Sequence, residues 1–387
     1  MSEAWIFEAV RTPRAVVRKG TSALAAVKPV SLVGTLLDAL TKRGLDAARV
    51  EDVILGCSTQ VGDQGANIAK AALGVAGWPE RVPAQTVNRL CISGLEAVAL
   101  AAAKVAAGHC EVVLAGGVES MSRVPMMADK GAWFADPEIA AKTRFVHMGV
   151  SADIIASLDG RTREELDAVA ARSHARAASA PSSSSIVPVG DFARDDGMKP
   201  VTAEKLASFP AAFADFLTPA VAAAYPDLAV KHLHTVATSP QQADGASLVV
   251  VASLEAGKAM GLTPRARVAS YIALSSEPVA MLTGPGPAAH RALERAGRRV
   301  SDVAVFEHNE SFAATQLRFE HELGESVDIA RINPNGGALA LGHPLGATGG
   351  MLVGCVIDEL TRRDAKTGVV AMCAGAGLAA AMVLERS

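Results

Sequence analysis

The sequence has no surplus of charge of either sign. Its 387 residues include 37 lysines and arginines against 40 aspartates and glutamates, which leaves a formal net charge of −3. A protein that binds nucleic acid needs an excess of basic side chains to neutralise the phosphate backbone. The composition therefore argues against a nucleic-acid partner.

Paired cysteines are also missing, since no two of the five form a C-x-x-C pair. They are Cys57, Cys91, Cys110, Cys355 and Cys373. Neither disulfide bonds nor structural zinc is therefore predicted. His232 and His234 would share one face of a strand, but no carboxylate or cysteine lies at ligand spacing, and we interpret them as ordinary surface histidines. The sequence predicts no metal site.

A targeting segment and a membrane span are not apparent either. The N-terminus has acidic residues early and no uninterrupted apolar stretch, so it resembles neither a signal nor a transit peptide, and a cytoplasmic location is expected. The longest apolar run, from Gly368 to Leu384, approaches membrane-spanning length but contains three glycines and a cysteine. Continuous apolar runs are typical of fully buried strands, and we predict such strands here.

The chain contains an internal repeat. The segment RVEDVIL, from Arg49 to Leu55, resembles RVSDVAV, from Arg299 to Val305, and an amphipathic helical stretch precedes each copy. An extended segment, a helix and a strand follow in the same order in both halves, and Cys91 and His343 begin equivalent helices. Alternating strands and helices predict an α/β fold with mostly parallel sheets, and the repeat predicts two such sheets related by a pseudo-twofold axis.

The two halves are unequal, because the residues between Gly117 and Asp244 have no counterpart in the second half. They predict an inserted subdomain. Such insertions commonly shape substrate entry, although passive elaboration of the fold suits the sequence nearly as well. We assign residues 1–117 and 241–262 to the first half, 118–240 to the insertion and 263–387 to the second half.

Cys91 follows a predicted strand and opens a helix in the segment N-R-L-C-I-S-G. Unpaired N–H groups and the dipole at a helix start favour an anion, which lowers the pKa of a thiol and makes it nucleophilic. His343 occupies the equivalent position in the other half, between glycines that allow close backbone approach. If the two helix starts face each other, the pair suits acyl-thioester catalysis. A small buried core cysteine and a structural histidine in a glycine loop are the alternatives.

Two further side chains stand at element ends. Cys373 ends a predicted strand in C-A-G-A-G, where small residues leave backbone amides bare to a ligand and the thiol can serve as acid or base. Asn309, in E-H-N-E-S-F-A, lies at a predicted helix start, where its amide would cap the helix or hold a water over an oxyanion. We interpret the neighbouring His308 as structural, because a strand-to-helix junction aims only one of two adjacent residues inward.

Seven segments, in order, resemble the signatures of the thiolase family over essentially the whole chain. They are A-V-R-T-P-R, V-N-R-L-C-I-S-G, A-G-G-V-E-S-M-S, His147-Met148-Gly149, N-E-S-F-A, N-G-G-A-L-A-L-G-H-P-L-G-A-T-G and C-A-G-A-G. The resemblance implies a five-layered α-β-α-β-α arrangement of two duplicated mixed-sheet halves with an inserted loop subdomain. It also implies an acyl-CoA C-acyltransferase that uses coenzyme A and acyl-CoA as substrates and has no tightly bound cofactor.

The resemblance further implies a ping-pong reaction. Cys91 attacks the 3-keto carbon of a 3-oxoacyl-CoA while His343 accepts its proton, and acetyl-CoA leaves as an enolate that Cys373 protonates. A second CoA then takes the acyl group from Cys91. His343 and a water held by Asn309 would face the enolate oxygen, and the backbone N–H groups of Cys91 and Gly375 would face the tetrahedral intermediate.

The CoA site implied by the resemblance uses the inserted subdomain. His147 and Met148 match positions that line the pantetheine. Pro240 stands where many thiolases carry a CoA-contacting serine, and proline cannot donate a hydrogen bond, so either Ser239 substitutes or the contact is absent. The serine of N-E-S-F-A, Ser311, stands where alanine is usual.

Other functions stay open at this point. A β-ketoacyl synthase shares the duplicated layout but pairs its cysteine with two histidines, or with a histidine and an asparagine, and Cys373 argues against it. A biosynthetic acetoacetyl-CoA thiolase and a non-catalytic acyl-CoA-binding or lipid-transfer protein on the same scaffold are the alternatives. The segments Q-V-G-D-Q-G-A-N-I-A-K and V-E-S-M-S-R-V-P-M favour degradative thiolysis in fatty-acid β-oxidation. The resemblance implies a homodimer or homotetramer and allows association with other β-oxidation enzymes.

Overall fold

The computed structural model describes residues 3–386 as alternating helices and strands. The strands are β1 (Trp5–Arg11), β2 (Ala15–Val16), β3 (Asp52–Gly56), β4 (Ala84–Val87), β5 (Val112–Ser120), β6 (Ala243–Ala252), β7 (Ala266–Ser275), β8 (Val305–His308), β9 (Thr367–Cys373) and β10 (Leu378–Glu385). The α-helices are α1 (Pro29–Lys42), α2 (Ile68–Val75), α3 (Ser93–Ala106), α4 (Ala132–Ala135), α5 (Pro137–Lys142), α6 (Met148–Leu158), α7 (Arg163–Ser179), α8 (Ala203–Ala207), α9 (Pro219–Ala224), α10 (Leu254–Ala259), α11 (Pro285–Arg295), α12 (Ala313–Leu323), α13 (Ala338–Leu341) and α14 (Leu345–Arg362).

The strands pair in the order β4-β3-β5-β6-β1-β7-β10-β9-β8, with β2 beside β6. The order β3-β5-β6-β1 of the first half returns in reverse as β7-β10-β9-β8 in the second. Because β3 begins within the first copy of the repeated segment and β8 begins at the end of the second, the predicted duplication is confirmed. The halves meet where β1 and β7 pair antiparallel at Trp5–Arg267 and Ile6–Ala266.

The prediction of mostly parallel sheets is wrong for the inner strands. Parallel pairing is confined to β3 with β4 and β5 and to β8 with β9, and the other named pairs within residues 3–386 are antiparallel. A short turn joins β9 directly to β10, which forces these two strands to run antiparallel. They contain the apolar run from Gly368 to Leu384 and are almost wholly buried, as predicted.

Helices α3 and α14 lie between the two halves. Helix α3 packs against β3 and β5 of the first half and β10 of the second, and α14 packs against β5, β6 and β9. Their apolar side chains share one core with strands of both halves. Helices α1 and α2 cover the other face of the first half, and α11 and α12 cover that of the second. These are the five layers that the resemblance implied.

The chain between β5 and β6 forms the helices α4 to α9. It packs against the second half, where its residues Val146 and Ile154 share an apolar cluster with Phe312 and Cys373. The insertion therefore supplies part of the surroundings of the second thiol. The exact domain boundaries stay predictions.

Candidate active site

Cys91 lies two residues before α3, close to the predicted helix start. The hydroxyl of Ser93 accepts a hydrogen bond from the backbone N–H of Arg89 at 2.8 Å, which closes the turn that carries the cysteine. Cys91 is 7 % exposed. It lines a narrow cavity together with Leu345 and Gly375, so residues from both halves of the fold form the walls around this sulfur.

Burial raises the pKa of the Cys91 thiol to about 12, and the charges of Cys373 and Glu119 act in the same direction. The backbone N–H groups of Cys91 and Gly375 lower this pKa, but by less. The predicted lowering of the pKa is therefore wrong for the free protein, because the loss of water around a buried thiolate outweighs the helix start. The same two N–H groups form a pair of donors suited to an oxyanion beside the sulfur.

His343 lies two residues before α14, in the position equivalent to that of Cys91. Its Nδ1 is 2.7 Å from the hydroxyl of Thr348, and its Nε2 has no hydrogen-bond partner among residues 3–386. Burial and the nearby guanidinium of Arg14 lower the pKa of His343 to about 3, so the imidazole is neutral at neutral pH. Because a hydroxyl can donate or accept, Thr348 suits either tautomer, and Nε2 can accept a proton or donate one.

Glycines allow α3 and α14 to touch. A methyl group added to Gly94 would lie 2.5 Å from the carbonyl oxygen of Gly346, and one added to Gly349 would lie 2.1 Å from the backbone nitrogen of Leu95. The buried carboxylate of Glu119 also accepts from the N–H of Gly346 at 2.9 Å, which ties the start of α14 to the end of β5. A side chain larger than hydrogen would hold the two helix starts apart.

Cys373 is the last residue of β9 and is fully buried. Burial raises the pKa of its thiol to about 11, whereas the side chains of Ser311 and Asn309 act to lower it. A charge on Cys373 also raises the pKa of Cys91, so the two sulfurs share one electrostatic environment. Both predicted thiols therefore belong to one buried site, and both are neutral in the free protein at neutral pH.

The amide of Asn309 is hydrogen-bonded to Cys373 rather than to a helix end. Its Oδ1 accepts from the backbone N–H of Cys373 at 3.2 Å, and its Nδ2 donates to the carbonyl oxygen of Cys373 at 3.1 Å and to the hydroxyl of Ser311 at 2.8 Å. Helix α12 begins only at Ala313, and the side chains that accept from the backbone N–H groups at its start are those of His234 and Thr315, so the capping interpretation of Asn309 is wrong. Both amide protons have partners, and the water-holding role, which would require one of these bonds to open, stays a prediction.

Three residues beside the site have backbone angles in the left-handed region. The angle φ is 50° at Leu90, 39° at Glu310 and 60° at Ala376, each next to a predicted site residue. Such conformations cost on the order of 1–3 kcal/mol each and persist where the surroundings hold them. For Glu310 the support is visible, because its buried carboxylate accepts from the hydroxyl of Ser173 at 2.7 Å.

His147 and Met148 face the same cavity as Cys91. The Nδ1 of His147 accepts from the N–H of Gly149 at 3.1 Å and caps the start of α6. Its ring stacks on that of Phe216 with 4.5 Å between the centroids, and burial lowers its pKa. The two residues predicted to line the pantetheine therefore lie beside the predicted nucleophile.

Ser239 is not among the residues that line this cavity. Its hydroxyl donates to the carbonyl oxygen of Thr235 at 2.7 Å. The same loop positions His343, whose backbone N–H donates to the carbonyl oxygen of Gln241 at 2.7 Å. A contact between Ser239 and CoA would require the hydroxyl to turn, and it stays a prediction.

An aromatic wall, formed by Trp133, Phe134 and Phe145, closes one side of the cavity, and no sequence motif indicated it. The rings of Trp133 and Phe145 pack edge to face with 4.9 Å between centroids. A methyl group added to Gly375 would lie 2.9 Å from the indole of Trp133. The insertion therefore reaches the backbone next to Cys91 and narrows the space above the sulfur.

Comparisons with known proteins cover the chain almost from end to end. Residues 4–255 match the family model of the thiolase N-terminal domain, and residues 262–386 match that of the thiolase C-terminal domain. The chain belongs to the thiolase family. It is 38% identical to the 3-oxoadipyl-CoA/3-oxo-5,6-dehydrosuberyl-CoA thiolase of Escherichia coli (strain K12) and 37% identical to the 3-ketoacyl-CoA thiolase of Bacillus subtilis (strain 168), each over 100% of both chains. The crystal structure of the Bacillus anthracis acetyl-CoA acetyltransferase superposes with a TM-score of 0.84 at 32% identity, over 100% of this chain and 99% of that one.

These matches confirm the family and the fold class predicted from the sequence. This thiolase is an enzyme of the acyltransferase class, so the non-catalytic interpretation is set aside. Within residues 3–386, no helix has both the length and the apolar character needed to cross a membrane.

Four side chains near the thiolase site received no role from the sequence. They are Arg14, Glu119, Ser311 and Thr348. Each lies inside a segment that carried the resemblance, so the available signal was its position in a motif. Their contacts join residues that are far apart in the chain, as when the Nε of Arg14 donates to the sulfur of Met351 at 3.3 Å.

The two alternating histidines of the insertion are not surface residues on a strand. The buried carboxylate of Asp153 lies 2.8 Å from the Nδ1 of His234, which is fully buried, and 3.1 Å from the Nδ1 of His232. The interpretation as ordinary surface histidines is wrong, because α6 brings the carboxylate of Asp153 to both rings and His234 is fully buried. His308 is fully buried with its Nδ1 2.7 Å from the Oε1 of Gln316, and its structural role stays a prediction. No group of three or more potential ligands in the described part of the chain could hold a metal ion.

Proposed function

We propose that this thiolase cleaves 3-oxoacyl-CoA with CoA, giving acetyl-CoA and a shortened acyl-CoA through an acyl thioester on Cys91. The observation that carries the proposal is the buried site in which Cys91 shares a cavity with Gly375, two residues after Cys373, and a charge on Cys373 raises the pKa of Cys91, while the Nε2 of His343 has no partner among the described residues. A nucleophile, an acid and a proton acceptor are the three parts that reversible Claisen chemistry needs.

In the first half-reaction the sulfur of Cys91 attacks the 3-keto carbon, and its proton passes to the Nε2 of His343. The bond between C2 and C3 then breaks, the acyl group stays on Cys91, and the electron pair leaves on acetyl-CoA as an enolate. Cys373 donates its proton to C2 of that enolate. The proton gained by His343 balances the one lost by Cys373, so the site keeps its net charge.

Neutral resting groups support this sequence of proton transfers. With the pKa of Cys91 near 12 and that of His343 near 3, no thiolate–imidazolium pair forms in the free protein. Proton transfer therefore accompanies the attack, and the N–H groups of Cys91 and Gly375 stabilise the negative charge on the former keto oxygen. Removing one such donor typically costs about 2.7–4 kcal/mol in the barrier.

The cavity favours a neutral, apolar acyl group. Among its described lining residues, Asp129 is the one acidic side chain, and neither lysine nor arginine is present. A carboxylate at the end of the acyl chain would lie near Asp129 without a cation to pair with. We therefore expect faster thiolysis of 3-oxohexanoyl-CoA than of 3-oxoadipyl-CoA, which has the same chain length but ends in a carboxylate. A preference for 3-oxoadipyl-CoA would contradict this specificity.

The mechanism is tested by the mass of the intact protein after incubation with acyl-CoA. Cys91→Ala should lose the acyl adduct, whereas Cys373→Ala should still acylate but fail to exchange the carbon–carbon bond. Cys110→Ala, beyond the far end of α3, removes a thiol outside the site and should behave as the unaltered protein. An adduct that persists in Cys91→Ala would refute the assignment of the nucleophile.

We infer that the protein works in the degradative direction. The ratio of the thiolysis rate to the condensation rate, measured with the same protein, tests this inference. The homodimeric or homotetrameric state, the cytoplasmic location and any association with other β-oxidation enzymes stay predictions from the resemblance.

A further inference from the structure

Ser311 contacts the sulfur of the second thiol. It lies between β8 and α12, and its side chain is buried. Its Oγ is 3.0 Å from the Sγ of Cys373 and 2.8 Å from the Nδ2 of Asn309. These are the hydrogen bonds of its side chain within residues 3–386. An alanine at this position would make neither contact.

The direction of each hydrogen bond follows from the orientation of Asn309. Its Oδ1 accepts from the backbone N–H of Cys373, so its Nδ2 must face Ser311 as a donor. The serine oxygen is therefore an acceptor on that side. Its single proton has no acceptor other than the sulfur among residues 3–386, whereas the thiol proton can point to the Oδ1 of Asn309, 3.7 Å from the sulfur, so we assign Ser311 as the donor to Cys373.

We propose that Ser311 is a catalytic residue of this thiolase, whose hydroxyl stabilises the thiolate form of Cys373 by donating a hydrogen bond to it. The inference rests on the proposed function, in which Cys373 exchanges a proton with carbon. During thiolysis the S–H bond of Cys373 breaks, a C–H bond forms at C2 of acetyl-CoA, and the negative charge of the enolate moves onto the sulfur. In condensation the thiolate takes the same proton back.

The hydroxyl acts on only one of the two forms of the thiol. A thiolate is a strong hydrogen-bond acceptor and a neutral thiol a weak one, so the bond favours deprotonation. Burial opposes it, because the surroundings of Cys373 are apolar and the sulfur is fully covered. A fixed neutral donor offsets part of that cost without placing a positive charge beside the reacting carbon.

Other titratable groups lie around this site on several elements. Glu119 from β5 acts on the pKa of Cys91, and Arg14, just before β2, acts on that of His343. None of these is altered by a substitution at Ser311. A change in proton transfer after such a substitution therefore reports on the hydroxyl.

The test separates proton transfer at carbon from acylation. In Ser311→Ala, the exchange of the methyl protons of acetyl-CoA for deuterium in deuterium oxide should be slower at every neutral pH. The loss of a hydrogen bond to a charged group corresponds to a displacement of the rate curve by about one to two pH units toward higher pH. Acylation of Cys91, followed by intact mass, should be unchanged, because it does not use Cys373.

Three further variants complete the design. Ser311→Thr keeps a hydroxyl and should exchange protons as the unaltered protein does. Ser311→Cys keeps a side chain of similar size with a weaker donor, so its rate curve should be displaced by less than that of Ser311→Ala. It also serves as the test if the alanine variant does not fold. Ser270→Ala is the matched control, because it removes a buried hydroxyl that donates to the carbonyl oxygen of Ala292 at 2.6 Å. It should leave both steps unchanged.

A superimposable exchange curve for Ser311→Ala, or for Ser311→Cys where only that variant folds, would overturn the proposal. An equal loss of exchange and acylation that threonine does not restore would also overturn it, since that pattern indicates a structural role. If the unaltered protein neither acylates nor exchanges protons, the proposed function itself fails, which is a different result.

Discussion

Gly349→Ala should separate the two central helices and disable the enzyme. The added methyl group would lie 2.1 Å from the backbone nitrogen of Leu95, whereas ordinary contact begins at 3.4 Å. Because the obstacle is backbone, a side-chain rotation cannot relieve it. Helices α3 and α14 would have to move apart by roughly 1.3 Å, which is the difference between these two distances.

The size of the effect follows from that displacement. Overpacking of a buried contact typically costs about 1–3 kcal/mol of the free energy of unfolding, and occasionally more. A misplacement of about 1 Å between reacting groups can cost roughly a hundredfold in rate. Since Cys91 and His343 lie just before these two helices, we expect kcat/KM for thiolysis to fall about a hundredfold in protein that is still folded.

The assay compares thiolysis rates with urea unfolding curves. Gly74→Ala is the matched control: Gly74 lies within α2, and a methyl group there would meet no atom within 4 Å. It should keep full activity and be neutral or more stable by up to about 1 kcal/mol. A Gly349→Ala protein with the activity and stability of the unaltered enzyme would refute the argument that this contact sets the spacing of the site.

Two further predictions concern stability and specificity. Burial raises the pKa of Glu307 to about 8, so the folded state keeps a proton that the unfolded state loses above about pH 4.5. The free energy of unfolding then falls as the pH rises between these values. In urea unfolding, Glu307→Gln should be more stable than the unaltered protein by about 4 kcal/mol at pH 8 and equally stable near pH 4.5. Equal stability at pH 8 would show that the carboxyl is ionised in the fold. Trp133→Ala should open the cavity beside Gly375 and shift the kcat/KM ratio toward longer 3-oxoacyl-CoA substrates, and an unchanged chain-length profile would place the acyl chain elsewhere.

The duplication could be predicted because each copy repeats a local pattern of apolar and turn residues. The repeated segments marked β3 and β8, and the residues after them marked equivalent helix starts at Cys91 and His343. Local patterns do not reveal which strands become neighbours, so the antiparallel inner pairs were missed. For the same reason the sequence did not reveal that Asp153 contacts His234, because Asp153 belongs to α6, far from His234 in the chain.

The two thiols, the imidazole and the amide could be proposed from the sequence, because the segments that resemble thiolase signatures combine these residue types with glycines and element ends, which are local properties. Their protonation states were not. Whether Cys91 has a lowered or a raised pKa depends on how much water the fold removes from around its sulfur. Residues from both halves and from the insertion together exclude that water. The hydrogen bond from Ser311 to Cys373 and the aromatic wall around Trp133 depend likewise on side chains that only the packed chain brings within a few ångströms of each other.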